Sequence, residues 1–384
     1  MGAIASWLND EQQNKYVDVI VDDTNSRLRQ RDALLDPYMP IKNYDSRNFL
    51  AYVVNRVNTL ASVVSYGAEI PATRQGRLRK LTTQLVKLAL QRVYDENMQW
   101  EMMEAIEAAG LKGVEVDDRQ LPDGRLIKGT NNSLTDYIFG NIEDLTKAIY
   151  DTLHAMSWQC IQFGQVNYSD FRTDTQTIID WKDASADYNH FPDTLIDTGN
   201  TANPAMNRWD DYEHADGLQT IADAIDTFHD TNGFTTDAIV MSRRARNHLI
   251  RQQSTKDAAR TSMAVTQVGT VSPDLLQKLL EMRELPPIVT FDELYEVENE
   301  KGDVIKGRFF NENRFSFLTK NMGERAFGVT IESKQGMNGQ PKSGIYVHTF
   351  EKSKSPVLDV SEAIATALPI IINPKLLYSH QIMP

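Results

Sequence analysis

The sequence predicts an α+β fold with more than one domain, and three observations lead to this prediction. Apolar residues recur about every 3.6 positions through 133–164, which is the pattern of one long amphipathic helix. Residues 218–290 show the order helix, strand, helix, helix, strand. From Ile288 onward the chain is mostly strand-like. The 384 residues are enough for two or three domains with cores of their own.

The first 45 residues predict a helix-forming arm. Its apolar positions, among them Trp7 and Tyr16, are separated by polar residues. Prolines at 37 and 40 end the helical pattern, because the residue before a proline favours an extended backbone. We therefore expect residues 1–45 to pack on another surface instead of forming a core of their own.

Residues 46–95 predict an extended loop and its base. Two strand-like runs flank a polar, glycine-containing stretch, so a long two-stranded hairpin is predicted at about 57–90. In the second run Val86, Leu88 and Leu90 alternate with less apolar residues, as in a half-buried strand. The tip between the runs is basic and contains Arg74, Arg77, Arg79 and Lys80.

The clearest helix of the sequence is predicted at 133–164. At 1.5 Å per residue it would be about 45 Å long. Ser133 and Asp136 predict a capping box at its start. The one cysteine of the chain, Cys160, falls on the apolar stripe, so it is predicted to be a core residue. The stripe consists of Leu134, Ile138, Ile142, Leu145, Ile149, Leu153, Met156, Cys160 and Phe163.

Helix and strand signals follow one another closely in the C-terminal half. Four apolar residues between 218 and 228 form one helix face, and Ala238–Met241 has the composition of a buried strand. Ser242 and Ser272 are predicted to cap two further helices. Strands are also predicted near 315–318, 327–331 and 345–350.

Composition excludes several classes of protein. The net charge of −13 argues against a dedicated nucleic-acid-binding protein, since such proteins depend on basic side chains at the phosphates. The apolar runs are too short to span a bilayer, so no membrane partner is expected. The 41% hydrophobic and 24% charged residues are typical of a folded globular protein.

No motif of an active site is present in the sequence. It contains no G-x-S-x-G, no P-loop and no G-x-G-x-x-G, and its seven histidines lack the spacing of zinc ligands. We therefore predict no catalytic, cofactor-binding or metal-binding residues. One acidic cluster has two interpretations, a site of converging carboxylates or the acidic start of a helix. It consists of Asp210, Asp211, Glu213, His214 and Asp216.

Two segments carry a resemblance to a known family. Residues 209–251 are WDDYEHADGLQTIADAIDTFHDTNGFTTDAIVMSRRARNHLIR, and residues 367–382 are ALPIIINPKLLYSHQI. The first predicts helix, turn, strand and helix, and the second predicts two strands separated by an Asn-Pro break. Together they resemble the major capsid proteins of tailed phages with the Hong Kong 97-type fold. The resemblance is greatest to the branch typified by the phage lambda capsid protein E.

The resemblance implies a division of the whole chain. It places an N-terminal arm at 1–45, an extended loop at 46–95, a peripheral domain with a spine helix (133–164) at 96–208, an axial domain at 209–330, and C-terminal strands shared between the two domains at 331–384.

The resemblance also implies a structural protein that is not an enzyme. Its members assemble as hexamers and pentamers into an icosahedral shell that encloses double-stranded phage DNA. The implied partners are copies of the same chain and a portal protein, with a separate scaffold or none, with or without a decoration protein, and with non-specific contact to the DNA. The implied location is the virion, after assembly in the cytoplasm of the host bacterium. Subunit contacts are expected at Trp7, Tyr16, Arg74, Arg77, Arg79 and Lys80.

Two alternatives remain at the level of the sequence. Encapsulins share the fold and form compartments that hold enzymes, so the fold alone does not separate them from capsids. A cytoplasmic enzyme of another family, built on residues 209–290, would show a pocket with shifted pKa values near Asp210, Asp211 and His214.

Overall fold

A computed structural model gives the architecture of the protein. It describes residues 21, 24, 34–54, 78–94, 97, 100, 119–120, 126–127, 132–170, 175–181, 191–192, 199, 201–263, 271–298, 304–335, 342–352 and 358–384. The α-helices are α1 (Asn132–Phe163), α2 (Gly217–Asn232), α3 (Arg243–Arg251), α4 (Gln253–Met263) and α5 (Pro273–Met282).

The strands follow the same chain order. They are β1 (Ile41–Asn43), β2 (Asn48–Val54), β3 (Leu78–Gln84), β4 (Val86–Tyr94), β5 (Arg119–Gln120), β6 (Leu126–Ile127), β7 (Gln165–Asp170), β8 (Thr175–Asp180), β9 (Ala238–Met241), β10 (Ile288–Thr290), β11 (Leu294–Glu298), β12 (Val304–Arg308), β13 (Arg314–Leu318), β14 (Gly323–Gly328), β15 (Ile345–Lys352), β16 (Leu358–Ile371) and β17 (Ser379–Gln381). The mixture of helices and sheets is an α+β architecture.

Helix α1 has 32 residues and runs within one residue of the predicted range at each end. It packs along β16. Its buried side chains follow the predicted stripe from Ile142 to Cys160, and Cys160 is fully buried. The predicted cap is wrong, because Ser133 lies inside the helix, one residue after its start.

The largest sheet has five strands in the order β1-β14-β16-β15, with β4 also paired to β16. Strand β16 has 14 residues, and it pairs with β15 through its first half and β14 through its second. Its side chains are buried from 363 to 371, which makes this strand the centre of one core. Helix α1 covers this part of the sheet, so the spine helix and β16 form one packed layer pair.

The predicted hairpin has different partners in the structure. Strand β2 pairs antiparallel with β3, from Asn48 opposite Gln84 to Val54 opposite Leu78. Strand β4, which was predicted as the second arm of the hairpin, pairs instead with β16. Alternation of apolar and polar residues identifies a half-buried strand but contains no information on which neighbour supplies its hydrogen bonds.

An α/β unit with a four-stranded sheet contributes the other part of the hydrophobic core. The strand order is β10-β9-β13-β17, with β9 and β10 parallel and β13 antiparallel to both of its neighbours. Trp209 is fully buried and stacks on Phe315 at 5.7 Å between ring centroids. The C-terminal strand β17 completes this sheet, and the backbone N–H of Trp209 donates to the carbonyl of Ile382. The two segments that carry the family resemblance are therefore in direct contact.

Both serine N-caps that the sequence predicts are present in this unit. The Ser242 hydroxyl accepts a hydrogen bond from Ala245 N at the start of α3, and Ser272 accepts from Leu275 N at the start of α5. Each bond satisfies one amide that the first turn of a helix leaves without a partner. Helix α2 ends at Gly233, whose φ of 77° is a left-handed conformation that glycine adopts without strain.

The strand predicted at 327–331 is shifted in the structure. Strand β14 occupies Gly323–Gly328, and a 3-10 helix follows at Ile331–Gln335. The beginning of this strand was not predicted, because Glu324 and Arg325 are charged and charged residues are not expected in a buried strand. In the structure both side chains are at most 2% exposed. Their charges are tolerated because each is paired, Glu324 with Lys42 and Arg325 with Asp36.

Candidate functional site

The predicted subunit contacts fall mostly outside the described residues. Trp7, Tyr16, Arg74 and Arg77 lie there, so the structure says nothing of their surroundings. Arg79 and Lys80 lie in β3, opposite Val53 and Tyr52 of β2. These two basic residues thus belong to a paired ladder and not to the turn where the sequence placed them, because the ladder extends further toward the tip than predicted.

The acidic cluster at 210–216 consists of separate local interactions. Asp210 forms an ion pair with Arg208. Asp216 is the N-cap of α2, where its side chain accepts a hydrogen bond from Gln219 N. The interpretation of the cluster as the acidic start of a helix is therefore correct for Asp216. The other acids precede the helix in a turn.

Asp211 organises that turn. Its carboxylate accepts hydrogen bonds from the backbone N–H groups of Gly199, Glu213 and His214, and it lies 3.1 Å from the His214 ring Nδ1. Partial burial would raise the pKa of Asp211, but the hydrogen bonds from the His214 side chain and backbone outweigh it and hold the pKa below its ordinary value. A carboxylate held ionised by a turn is suited to a structural role. Among the described residues, no group of three or more His, Cys, Asp or Glu side chains is placed to hold a metal ion.

A basic surface lies on α3 in the α/β unit. A depression of about 360 Å³ is lined by Asn247, His248 and four arginines, together with two carboxylates from the facing segments. We call the exposed residues of the helix the α3 basic face. They are Arg243, Arg244, Asn247 and Arg251.

The two carboxylates of the depression engage only part of this positive charge. Asp292 accepts a hydrogen bond from the backbone N–H of Arg243 at 2.8 Å and lies 3.6 Å from the Arg308 guanidinium. Glu312 pairs with Arg244 and with Arg308. Within the described part of the chain, the guanidinium groups of Arg243 and Arg251 form no ion pair.

His248 lies at the edge of the depression, half-buried. Its ring stacks on Tyr212 with centroids 5.6 Å apart, and its Nδ1 is 3.0 Å from the Tyr212 hydroxyl. Burial lowers the pKa of His248, and the positive charge of Arg244 lowers it further. The positive charge of this surface therefore comes from arginines, which stay ionised at every physiological pH.

A row of opposite charge lies on α2. Its buried face contains Leu218, Ile221, Ile225 and Phe228, which pack into the core of the unit. On the exposed side are Asp223, Asp226 and Asp230, which we call the α2 acidic row. Asp223 accepts a hydrogen bond from the Gln219 side chain, and none of the three carboxylates forms an ion pair among the described residues.

The spacing of charged residues in the sequence is a signal for both surfaces. Arginines at 243, 244 and 251 share one side of a helix at 3.6 residues per turn, and so do the aspartates at 223, 226 and 230. Helical spacing alone does not show that these residues are exposed and without ionic partners, because this depends on the tertiary packing.

Comparison with known proteins gives the fold. No protein-family model matches the sequence, and no curated protein matches it. Among solved structures, a protein assigned as the capsid protein of an Escherichia coli prophage matches with a TM-score of 0.53 and 11% identity, over 91% of this chain and 92% of that chain. A phage-related protein from Bordetella bronchiseptica matches with a TM-score of 0.47 and 12% identity, over 94% and 96%. The capsid protein of the Myoviridae phage XM1 gives 0.42 and 10%, over 91% and 90%.

The first of these similarities shows that the chain has a phage capsid protein fold. It extends over almost the full length of both chains. None of the described helices combines the length and the apolar character needed to cross a membrane.

Proposed function

We propose that this chain is a capsid subunit that assembles with copies of itself into a closed shell. The observation that carries the proposal is the shared fold with an assigned prophage capsid protein over more than nine-tenths of both chains. The α+β architecture supports it, because a long helix packed along a long sheet gives an extended subunit with large lateral surfaces.

The finer proposal concerns the assembly. Hexamers and pentamers of the chain build an icosahedral shell that encloses double-stranded phage DNA. Contacts between two different faces of identical subunits close into rings, and rings of five and six are compatible with a closed shell. The net charge of −13 is suited to a container that holds DNA without gripping it, since strong binding to phosphates requires a basic surface.

The remaining partners follow from the same proposal. A portal protein, a scaffold and a decoration protein would join the shell, and contact with the packaged DNA would be non-specific. Assembly takes place in the cytoplasm of the host bacterium, and the mature location is the virion. Membership of the lambda capsid protein E branch is supported by residues 209–251 and 367–382, whose elements meet in one sheet.

Reaching segments provide the proposed link between subunits. The arm at 1–45 and the hairpin tip, with Trp7, Tyr16, Arg74 and Arg77, would lie over neighbouring subunits. The base of the arm is fixed to its own subunit, since Leu35 and Met39 are fully buried and β1 pairs with β14. An anchored base with residues beyond it is the arrangement that a reaching arm requires.

The alternatives have less support. An encapsulin-like compartment is not favoured, because the similarity that carries the proposal is to a phage capsid protein. For a cytoplasmic enzyme, the acids at 210–216 would have to converge on a substrate. Asp211 is instead bound to backbone amides of its own turn, and Asp216 caps a helix.

Negative-stain electron microscopy of the purified chain, with light scattering on the same sample, tests the proposal. Closed shells or flat sheets of hexamers are the expected result. A monomer that stays monomeric both alone and when co-expressed with a phage scaffold would contradict the capsid role, and a ligand search near the acids at 210–216 would then follow.

A further inference from the structure

We propose that the α3 basic face of one subunit binds the α2 acidic row of a second copy of the chain. This contact would join neighbouring subunits around a ring. The inference rests on the proposed capsid function and goes beyond it, because it assigns the two surfaces that meet and the direction of the contact.

The geometry of the two surfaces is matched. On α3, Arg243, Asn247, Arg251 and Arg244 fall within an arc of roughly 100°, at 100° per residue. From Arg243 to Arg251 the face is about 12 Å long, at 1.5 Å per residue. The α2 acidic row falls within an arc of roughly 60° and is about 10.5 Å long from Asp223 to Asp230. Two helices can therefore lie side by side with Arg243 and Arg251, about 12 Å apart along their axis, opposite Asp223 and Asp230, about 10.5 Å apart.

The charges are free to pair with another subunit. Among the described residues no ion pair joins the two surfaces within one chain, and the guanidinium groups of Arg243 and Arg251 have no ionic partner. The beginning of α2 lies close to the end of α3, where Gly217 N donates to the Gln252 side chain just beyond α3. Asp230 and Arg243 lie at the opposite ends of their helices.

Both helices carry charges that oppose their own dipoles. Arg243 and Arg244 are the first two residues of α3, where the positive end of the helix favours acidic side chains. Asp230 is in the last turn of α2, where the negative end favours basic side chains. A charge that destabilises its own helix indicates that the residue serves something other than the stability of that helix. An approaching surface of opposite charge would remove both unfavourable interactions.

The contact would be heterologous, because the two faces are different. Each subunit then uses its α3 basic face toward one neighbour and its α2 acidic row toward the other, and the contact generates a ring when the rotation between neighbours closes. Exposed ion pairs contribute little affinity individually. We therefore expect the pairs to select orientation and to accelerate association, and we expect high salt to weaken their effect.

A second possible occupant of the basic face is the phosphate backbone of the packaged DNA. The observation that favours a protein is the α2 acidic row, a row of exposed carboxylates of nearly the same length as the basic face, which every copy of the chain carries. Binding of DNA to the α3 basic face is the alternative that the experiment below distinguishes.

Charge reversal tests the proposal. One variant carries Arg243→Glu and Arg251→Glu, a second carries Asp226→Lys and Asp230→Lys, and a third carries all four substitutions. Each double variant places like charges in every contact and should lower the yield of shells at least about tenfold at low salt, since like-charge contacts across an interface are strongly unfavourable. The four-fold variant restores opposite charges in every contact, so its shell yield should return to that of the unaltered chain.

Mixing the two double variants gives a second readout. In the mixture, favourable contacts exist only between unlike variants, so the subunits must alternate around a ring. A ring of six can alternate and a ring of five cannot. Electron microscopy should therefore show hexamers, sheets or tubes without closed shells.

The outcomes separate the proposal from its premise. If the unaltered chain forms no shells, either alone or with a co-expressed scaffold, the capsid role fails. If it forms shells and both double variants do so in equal yield, the proposed contact is overturned. Normal assembly with weaker DNA retention in the arginine variant would also overturn it, in favour of DNA. Lys278→Glu, an exposed reversal on α5, is the matched control and should assemble normally, and circular dichroism should show that every variant is folded.

Discussion

Arg325 and Asp36 form an ion pair between two segments that are 289 positions apart in the sequence. The Arg325 side chain is 1% exposed, and its Nε donates to the Met39 carbonyl at 2.9 Å. The pair fixes the segment at the base of the predicted arm to β14 in the largest sheet. Residues beyond this point can therefore contact a neighbour without loosening the subunit itself.

Asp36→Ala should destabilise the unassembled subunit, because it leaves the buried Arg325 charge without its carboxylate. Removing one partner of a fully buried pair costs more, but Asp36 is 39% exposed, so we expect a loss of about 2 kcal/mol. Urea unfolding followed by tryptophan fluorescence measures it. Asp45→Ala, at an exposed position nearby, is the control, and equal effects of the two changes would refute the role of the pair.

His380 predicts a pH dependence of stability. Burial is the main cause that lowers the pKa of His380 to about 4, with the charge of Arg314 as a second cause. The unfolded chain takes up this proton near pH 6.5 and the folded chain only near pH 4, so stability falls as the pH is lowered through that window. The loss reaches about 3 kcal/mol below pH 4, and above pH 6.5 this residue makes no contribution.

His380→Gln should remove this part of the pH dependence. The measurement is the free energy of unfolding at several pH values between 4 and 7, compared between the variant and the unaltered chain. His229→Gln, at an exposed position of α2, should keep the full slope. The assignment is wrong if both variants show the same slope as the unaltered chain.

Much of the local structure was predictable because its signals are local. The 3.6-residue stripe gave α1, and serine caps gave the beginnings of α3 and α5. Pairing of β4 with β16 was not predictable, because the two strands are more than 260 positions apart and alternation does not encode a partner. Strand β14 was shifted in the prediction because Glu324 and Arg325 are charged, and only their long-range partners explain their burial.

The candidate site was less predictable than the fold. The arginines of α3 were part of the segment that carried the family resemblance, but their exposure depends on how α3 packs against α4 and the rest of the unit. The sequence instead drew attention to the acids at 210–216, which the structure shows to be engaged in a turn and a cap. The predicted subunit contacts all stay predictions: Trp7, Tyr16, Arg74, Arg77, Arg79 and Lys80.

The pKa of His248 reports on the charge of the α3 basic face. Arg244→Gln removes the cation that lowers the pKa of His248 most, so this pKa should rise. It should remain below 6.5, because burial is the larger cause of the shift. An NMR titration of the unassembled subunit measures the pKa of His248 in the variant and in the unaltered chain. Arg260→Gln on α4 should leave the value unchanged, and a fall in the Arg244→Gln variant would contradict the proposed electrostatics.

Asp230→Lys should separate subunit stability from assembly. A lysine in the last turn of α2 complements the helix dipole, so the free energy of unfolding should rise by about 0.5 kcal/mol. The same change weakens the α2 acidic row, so shell yield should fall. Asp226→Lys, in the middle of the helix, should reduce assembly without the gain in stability. A parallel loss of stability and assembly in both variants would mean that the row only supports the fold.

Electron cryo-microscopy of particles assembled from the purified chain, alone or with a scaffold, tests the central claim most directly. The account predicts a closed icosahedral shell of pentamers and hexamers in which α3 of each subunit lies against α2 of the next. Particles that never close, or a chain that remains a monomer under all assembly conditions, would contradict it.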